Sequence, residues 1–417
     1  MIANSPRVTY RRILAEPRFR VLFGTRSLVI AADTLRMVAL SVLVYGRTGS
    51  PLLAAIAFGI GFLPQVAGGA LLGALADRLR PRPLITTVYA AEAAVAAALA
   101  LLDLPIAACL ALVAAIACVT PVVSGAVNRL AAEVLPGDGF VLGRSLMMIA
   151  ASAAQLLGLA SGGIAVAAVG ERHALLATAG AYAAAAVLVR LLLDDPPPAA
   201  AKTGARRSVL GESRAVNRRL WADPAVRVML LAQWLPVAFV AGAESLLIPY
   251  AQARGHPEGA GALLLAALPV GMIAGNAVGG RMLRPATRER LVVPLMALFG
   301  LPLLPLVATL PLPVTAGLLA VTGAGFAYEL GLQRPFADAV PPAARGQAFG
   351  LLSTGVMTLQ GAGPVLFGGL AEVLDIGQAI ALAGTATLAT ALCLRGGLAR
   401  VRRTVHPPQD AERPARR

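Results

Sequence analysis

The stretch PIAACLALVAAIACVTPVVSGAV (105–127) runs for more than twenty residues without a single charge. A helix of about 20 mostly apolar residues crosses the hydrocarbon of a bilayer, whereas a barrel strand needs only about 10. This stretch therefore reads as a membrane helix. Comparable runs lie on either side of it, at 22–45, 52–76, 84–102, 143–169, 174–193, 226–250, 260–283, 291–310, 313–333, 346–370 and 376–395. Twelve spans are thus expected. Within lipid only helices and closed barrels satisfy the backbone, so the predicted fold is an all-α polytopic membrane protein. Composition agrees: 58% of the 417 residues are hydrophobic, 14% are charged and mean hydropathy is +0.75, too apolar for a water-facing surface. Most of the 43 glycines fall inside apolar runs, where small residues let membrane helices approach closely.

A net charge of +15 would suit a nucleic-acid binder, but the basic residues form short clusters between apolar runs and no continuous face. Topology explains them better. Of the 36 Lys and Arg residues, 31 lie in the N-terminal segment, the connections after even-numbered spans and the C-terminal segment. Only Arg47, Arg172 and Arg254 lie in the opposite connections, while Arg26 and Arg36 lie inside span 1. Cytoplasmic loops carry the basic excess, so both termini are expected inside. The first apolar run is too long and interrupted for a signal peptide, so span 1 is expected to be retained. Three isolated Cys and three His without ligand spacing imply neither a disulfide framework nor a metal site. No cofactor, metal or nucleic-acid partner is expected.

A shift of about 206 residues superposes the two halves of the chain. AEPRFRV (15–21) meets ADPAVRV (222–228), and NRLAAEVLP (128–136) meets QRPFADAVP (333–341), pairing Arg129 with Arg334 and Glu133 with Asp338. Gly69, Gly73 and Arg78 meet Gly275, Gly279 and Arg284; the glycines Gly158, Gly162 and Gly163 fall opposite Gly363, Gly368 and Gly369. Ordered matches of this kind describe a duplicated six-helix unit with a substrate path between its halves. The expected divisions are 1–193, a linker at 194–225, a second half at 226–395 and a basic tail at 396–417.

GALADRLRPRP (73–83) resembles the signature loop of the major facilitator superfamily. That likeness implies a packing role for Gly73 and a conformational gate at Asp77 and Arg78, with Arg129 and Arg334 as further gate positions. A charge-assisted contact formed in one conformation and lost in another suits a gate; the alternative is plain topogenic charge. Gly158 to Gly163 resembles the glycine motif of exporters in the same superfamily, with Leu159 at its usual proline; the second half keeps Gly363-Pro364. Asp33 and the R-x-x-A-E-x-L-P segment from Arg129 most resemble the branch of siderophore and drug exporters. The resemblance implies a transporter in the bacterial cytoplasmic membrane, working as a monomer on small amphipathic compounds, with protons and lipids as its other partners.

Ionisable groups at membrane depth are costly and mark functional sites. Asp33 and Arg36 share one face of span 1 by their i, i+3 spacing, and Arg26 falls on the same stripe. Glu92 lies in span 3, Glu244 in span 7 and Glu329 in span 10, with Gln155, Gln233 and Gln360 as neutral donors. Asp33 is the expected proton-coupling carboxylate, with Arg36 tuning it and the three glutamates as secondary candidates. The alternative is a fixed Asp33–Arg36 pair that only holds span 1 in register. G-x-S-x-G, H-E-x-x-H and Walker patterns do not occur, so an enzyme is not expected. Export, uptake, lipid flipping and a non-transporting receptor all stay open on sequence, with export favoured by the glycine motif.

Overall fold

A computed structural model describes residues 10–72, 79–135, 138–194, 216–257, 259–341 and 344–405. Gly73, Asp77, Arg78 and Pro136, most of the expected linker and the end of the basic tail lie outside the described residues. Among the described residues every regular element is helical. The longer ones are α1 (Pro17–Thr48), α2 (Pro51–Gly59), α3 (Leu63–Leu72), α4 (Pro81–Leu101), α5 (Ile106–Val134), α6 (Asp138–Leu192), α7 (Pro224–Ser245), α8 (Ala260–Met282), α9 (Pro285–Gly300), α10 (Leu312–Gly325), α11 (Tyr328–Ala339), α12 (Arg345–Leu370) and α13 (Ile376–Val405).

Local chemistry sets the ends of these helices. Proline opens α1, α2, α4, α7 and α9, where its missing N–H costs nothing. The hydroxyl of Ser50 caps α2 by accepting from the Leu53 N–H, and the Asp223 carboxylate caps α7 through the Ala225 and Val226 N–H groups. Gly49 closes α1 at φ 64°, donating to the Tyr45 carbonyl. Gly170, at φ 80° and ψ 165°, breaks α6 into two helical arms, a conformation that side chains disfavour.

Ten of the described helical stretches are long and apolar enough to cross a membrane. The two remaining expected spans, 143–169 and 346–370, lie in the first arm of α6 and in α12. The α6 arm contributes a shorter apolar helix at Leu146–Leu159. Gln347, Gln360 and several Gly, Ser and Thr residues dilute α12.

The chain divides into two compact units, Met1–Lys202 with Leu247–Ala266, and Thr203–Leu246 with Ala267–Arg417. In the first, α1, α4, α5 and the second arm of α6 enclose an apolar core that includes Leu22, Val29, Ile85, Tyr89, Val123 and Tyr182. Within this unit Leu247–Ala253 contacts α1, and the backbone at Ala262 comes close to the first arm of α6, where a Cβ added at Gly163 would overlap the Ala262 carbonyl. In the second unit, α7 packs on α12 and α13.

Each unit contains the same kind of close helix approach. A Cβ at Gly158 would overlap Thr34 Oγ1 and crowd Ala31, and Gly162 lies on Leu35, bringing α6 onto α1. A Cβ at Gly363, beside Pro364, would overlap the Ala238 carbonyl, bringing α12 onto α7. Gly68 meets Cys118 in one unit as Gly271 meets Ala320 in the other. Gly158, Gly363, Gly68 and Gly271 thus lie where two helices leave no room for a larger residue.

Candidate functional site

Span 1 was expected to carry a polar stripe, and in α1 that stripe turns inward onto α4, α5 and α6. Asp33 and Arg36 are one helical turn apart, and Arg36 Nη2 donates to Asp33 Oδ1 at 3.0 Å. The Tyr182 hydroxyl, on the second arm of α6, donates to the same oxygen at 2.7 Å. The guanidinium of Arg36 also lies over the Tyr182 ring, 5.7 Å from its centroid, a cation–π arrangement. Asp33 therefore accepts two hydrogen bonds at one oxygen, one of them charge-assisted. Its side chain keeps 29% exposure against 8% for Arg36, so the carboxylate lies at the edge of the cluster and the guanidinium at its centre.

Glu92 of α4 completes the group. It is only 2% exposed, within electrostatic reach of Asp33, Arg36 and Arg26, yet its Oε2 has no hydrogen-bond partner among the described residues. Arg36 Nη1 is likewise buried and unbonded among them. Arg26 donates to Ser124 Oγ of α5 at 3.0 Å. Two guanidinium groups thus oppose two carboxyl groups inside an apolar helical packing.

The other candidates are not among the groups that act on this cluster. Glu244 lies one residue before the end of α7, and its Oε1 has no hydrogen-bond partner among the described residues. Glu329 lies in the first turn of α11, after the break that follows Gly325. Gln233 spends one of its two amide donors on the Met229 carbonyl of its own helix, at 3.1 Å. Arg129 pairs along α5 with Glu133 at 3.6 Å, and Arg334 along α11 with Asp338 at 3.5 Å. The paired positions of the sequence repeat therefore make the same i, i+4 contact. Arg82, within the stretch that resembles the signature loop, donates to the Arg190 carbonyl.

The opposite end of the first unit shows why two basic residues occur there. Arg47 and Arg172 both bond Asp103 Oδ1, at 2.7 and 2.6 Å, and Arg47 also reaches the Leu104 carbonyl. Sequence reasoning missed Asp103, Tyr182 and Ser124. Asp103 is a loop acid like any other, but a tyrosine amid the alanines of 181–186 is a polar handle that needs a buried partner.

The family model described as Major Facilitator Superfamily matches residues 22–336. The chain belongs to the major facilitator superfamily. It is a multi-pass membrane transporter with an all-α fold. A bacterial homologue of the human lysosomal transporter Spinster, inward-facing and unoccupied, superposes with a TM-score of 0.65 at 15% identity, covering 94% of this chain and 97% of that one. The nucleoside transporter NupG, in a point-mutant form, gives 0.67 at 14%, covering 90% and 99%. A POT family transporter in complex with 5-aminolevulinic acid gives 0.67 at 11%, covering 92% and 96%. At these identities the likeness is one of fold. No curated protein matches the chain.

Proposed function

We propose that this superfamily member is a proton-coupled exporter of small amphipathic compounds such as drugs, natural products or siderophores. The observation that carries the reading is the buried cluster of Asp33, Arg36, Tyr182 and Glu92 in the first unit. A charged group inside an apolar helical packing costs several kcal/mol. Holding helices in register does not account for three ionisable groups and a tyrosine, with polar atoms of Arg36 and Glu92 unbonded among the described residues. Two carboxyl groups facing two guanidinium groups give a site that is neutral when both acids are ionised and carries one positive charge after binding a proton. Neither state is far out of balance, as proton loading and release require.

Export is favoured by the glycine motif of the first α6 arm and by Gly363-Pro364, and the apolar helices suit an apolar cargo better than a sugar or nucleotide. Glu244 and Glu329, in the second unit, are secondary candidates for the proton. Gly73, Asp77, Arg78, Arg129 and Arg334 form the proposed gate, and the two six-helix halves, separated by the linker at 194–225, alternate access to the path. The protein works as a monomer in the bacterial cytoplasmic membrane, with both termini inside, drawing on protons and no cofactor.

The test is accumulation of ethidium and a panel of cationic and neutral dyes in cells lacking their own efflux pumps. Cells expressing the intact chain are expected to accumulate less dye, and an uncoupler or Asp33→Asn should abolish the difference. Raised accumulation would mean uptake. Unchanged accumulation across the panel, together with unchanged lipid asymmetry, would reject the transport reading of the cluster.

A further inference from the structure

The cluster holds two carboxyl groups that are not equivalent, and their difference identifies the one that carries the proton. Asp33 spends Oδ1 on two donors, Arg36 and Tyr182, both of which favour a charged acceptor. A proton added to Asp33 would compete with these bonds. Glu92 has no such support: it is 2% exposed and Oε2 finds no donor among the described residues. Leaving an ionised carboxylate unbonded in an apolar core forfeits its solvation with no hydrogen bond in return.

The groups that face Glu92 are Arg26, Asp33 and Arg36 of α1, Tyr89 of its own helix and Tyr182 of α6. From α5 comes Ser124, which engages Arg26. Arg36 has a second buried donor, Nη1, that is unused among the described residues. It is already held by Asp33 through Nη2. We infer that Glu92 carries the coupling proton, and that Arg36 is the positioning cation that bonds Asp33 while Glu92 is protonated and turns its unbonded nitrogen to Glu92 when that proton leaves. Asp33, at the exposed edge of the cluster, is then the fixed counter-charge. The step balances simply: one O–H bond of Glu92 breaks, the proton passes to solvent, and a guanidinium N–H···O⁻ bond replaces it.

This assignment rests on the proton-coupled reading above, yet it can be tested without knowing the cargo. Infrared difference spectra between acidic and alkaline buffer, taken on the purified full-length protein, report protonated carboxyl groups by their C=O stretching band. The wild type should show such a band. Glu92→Gln should remove one component, Glu92→Asp should move that component to a different frequency, and Glu244→Gln and Glu329→Gln should leave it in place. A component that survives Glu92→Gln in a folded sample overturns the assignment. If Glu92→Gln fails to fold, an unmoved component in Glu92→Asp overturns it equally. Loss of the component with no dye export at all would keep the proton site and reject only the exporter reading. Uncoupler-sensitive export in a protein whose band ignores Glu92 would keep the exporter and reject only the site.

Discussion

Replacing Arg36 with Met keeps much of the side-chain volume and deletes the charge at the centre of the cluster. Asp33 would retain only the Tyr182 hydroxyl, and Glu92 would lose a facing cation. Removing one partner of a fully buried pair costs about 3–5 kcal/mol. Asp33 is 29% exposed, so water recovers part of this, and the expected loss is about 2–3 kcal/mol. A unit of this size shifts by roughly 2–4 °C per kcal/mol, which gives a drop of about 4–12 °C. The assay is the apparent melting temperature in detergent, read as the surviving monodisperse peak on size-exclusion chromatography after heating. The double variant Arg36→Met, Asp33→Asn removes both charges of the pair and should recover at least half of the drop. If the two single losses simply add in the double variant, the pair is not energetically coupled, and the reasoning about a mutually dependent cluster fails.

Gly363→Ala should lower the melting temperature by the equivalent of about 1–3 kcal/mol, because the new Cβ meets the Ala238 carbonyl, whereas Gly180→Ala, with open space around it, should be neutral. Asp103→Asn releases Arg47 and Arg172, but the acid is 77% exposed; the expected cost is below about 1 kcal/mol and should vanish at high salt, as paired melts at low and high ionic strength will show. In a background without Cys109, Cys118 and Cys393, a cysteine at Asp103 should react with an impermeant thiol reagent added to intact cells. A cysteine at Asp194, which pairs with Arg18, should react only after permeabilisation; the reverse pattern would invert the proposed topology. Gly355→Ala, whose Cβ would strike the Trp234 ring, should alter the fluorescence of the stacked Trp221–Trp234 pair.

The membrane class was legible because lipid imposes one rule, that long apolar runs must be helical, and the rule acts on composition alone. The polar stripe of α1 was legible for a related reason: i, i+3 spacing fixes which residues share a face of one helix. Which partners that stripe bonds was not legible. Tyr182 lies 149 positions from Asp33, and Ser124 lies 98 from Arg26, and no local pattern encodes partners at such separations. One N–H of Gln233 is held by its own backbone four residues back, a contact that the sequence reading of it as a neutral donor did not include.

The sequence by itself determined what each segment had to be. It set apolar helices, a duplicated order of prolines, glycines and charges, and a few ionisable residues too costly to be accidental, since burial penalties and helical periodicity act locally. Only the tertiary structure decided what those residues do to one another. Packing α1 against its neighbours brought the Tyr182 hydroxyl to Asp33, left Glu92 with an unbonded oxygen and buried Arg36 within reach of both. It also assigned Leu247–Ala266 to the first unit, where it meets α1 and the backbone near Gly163. Hydrogen bonds and close contacts depend on distances of a few tenths of an ångström between residues far apart in the chain, and those distances exist only once the helices are packed.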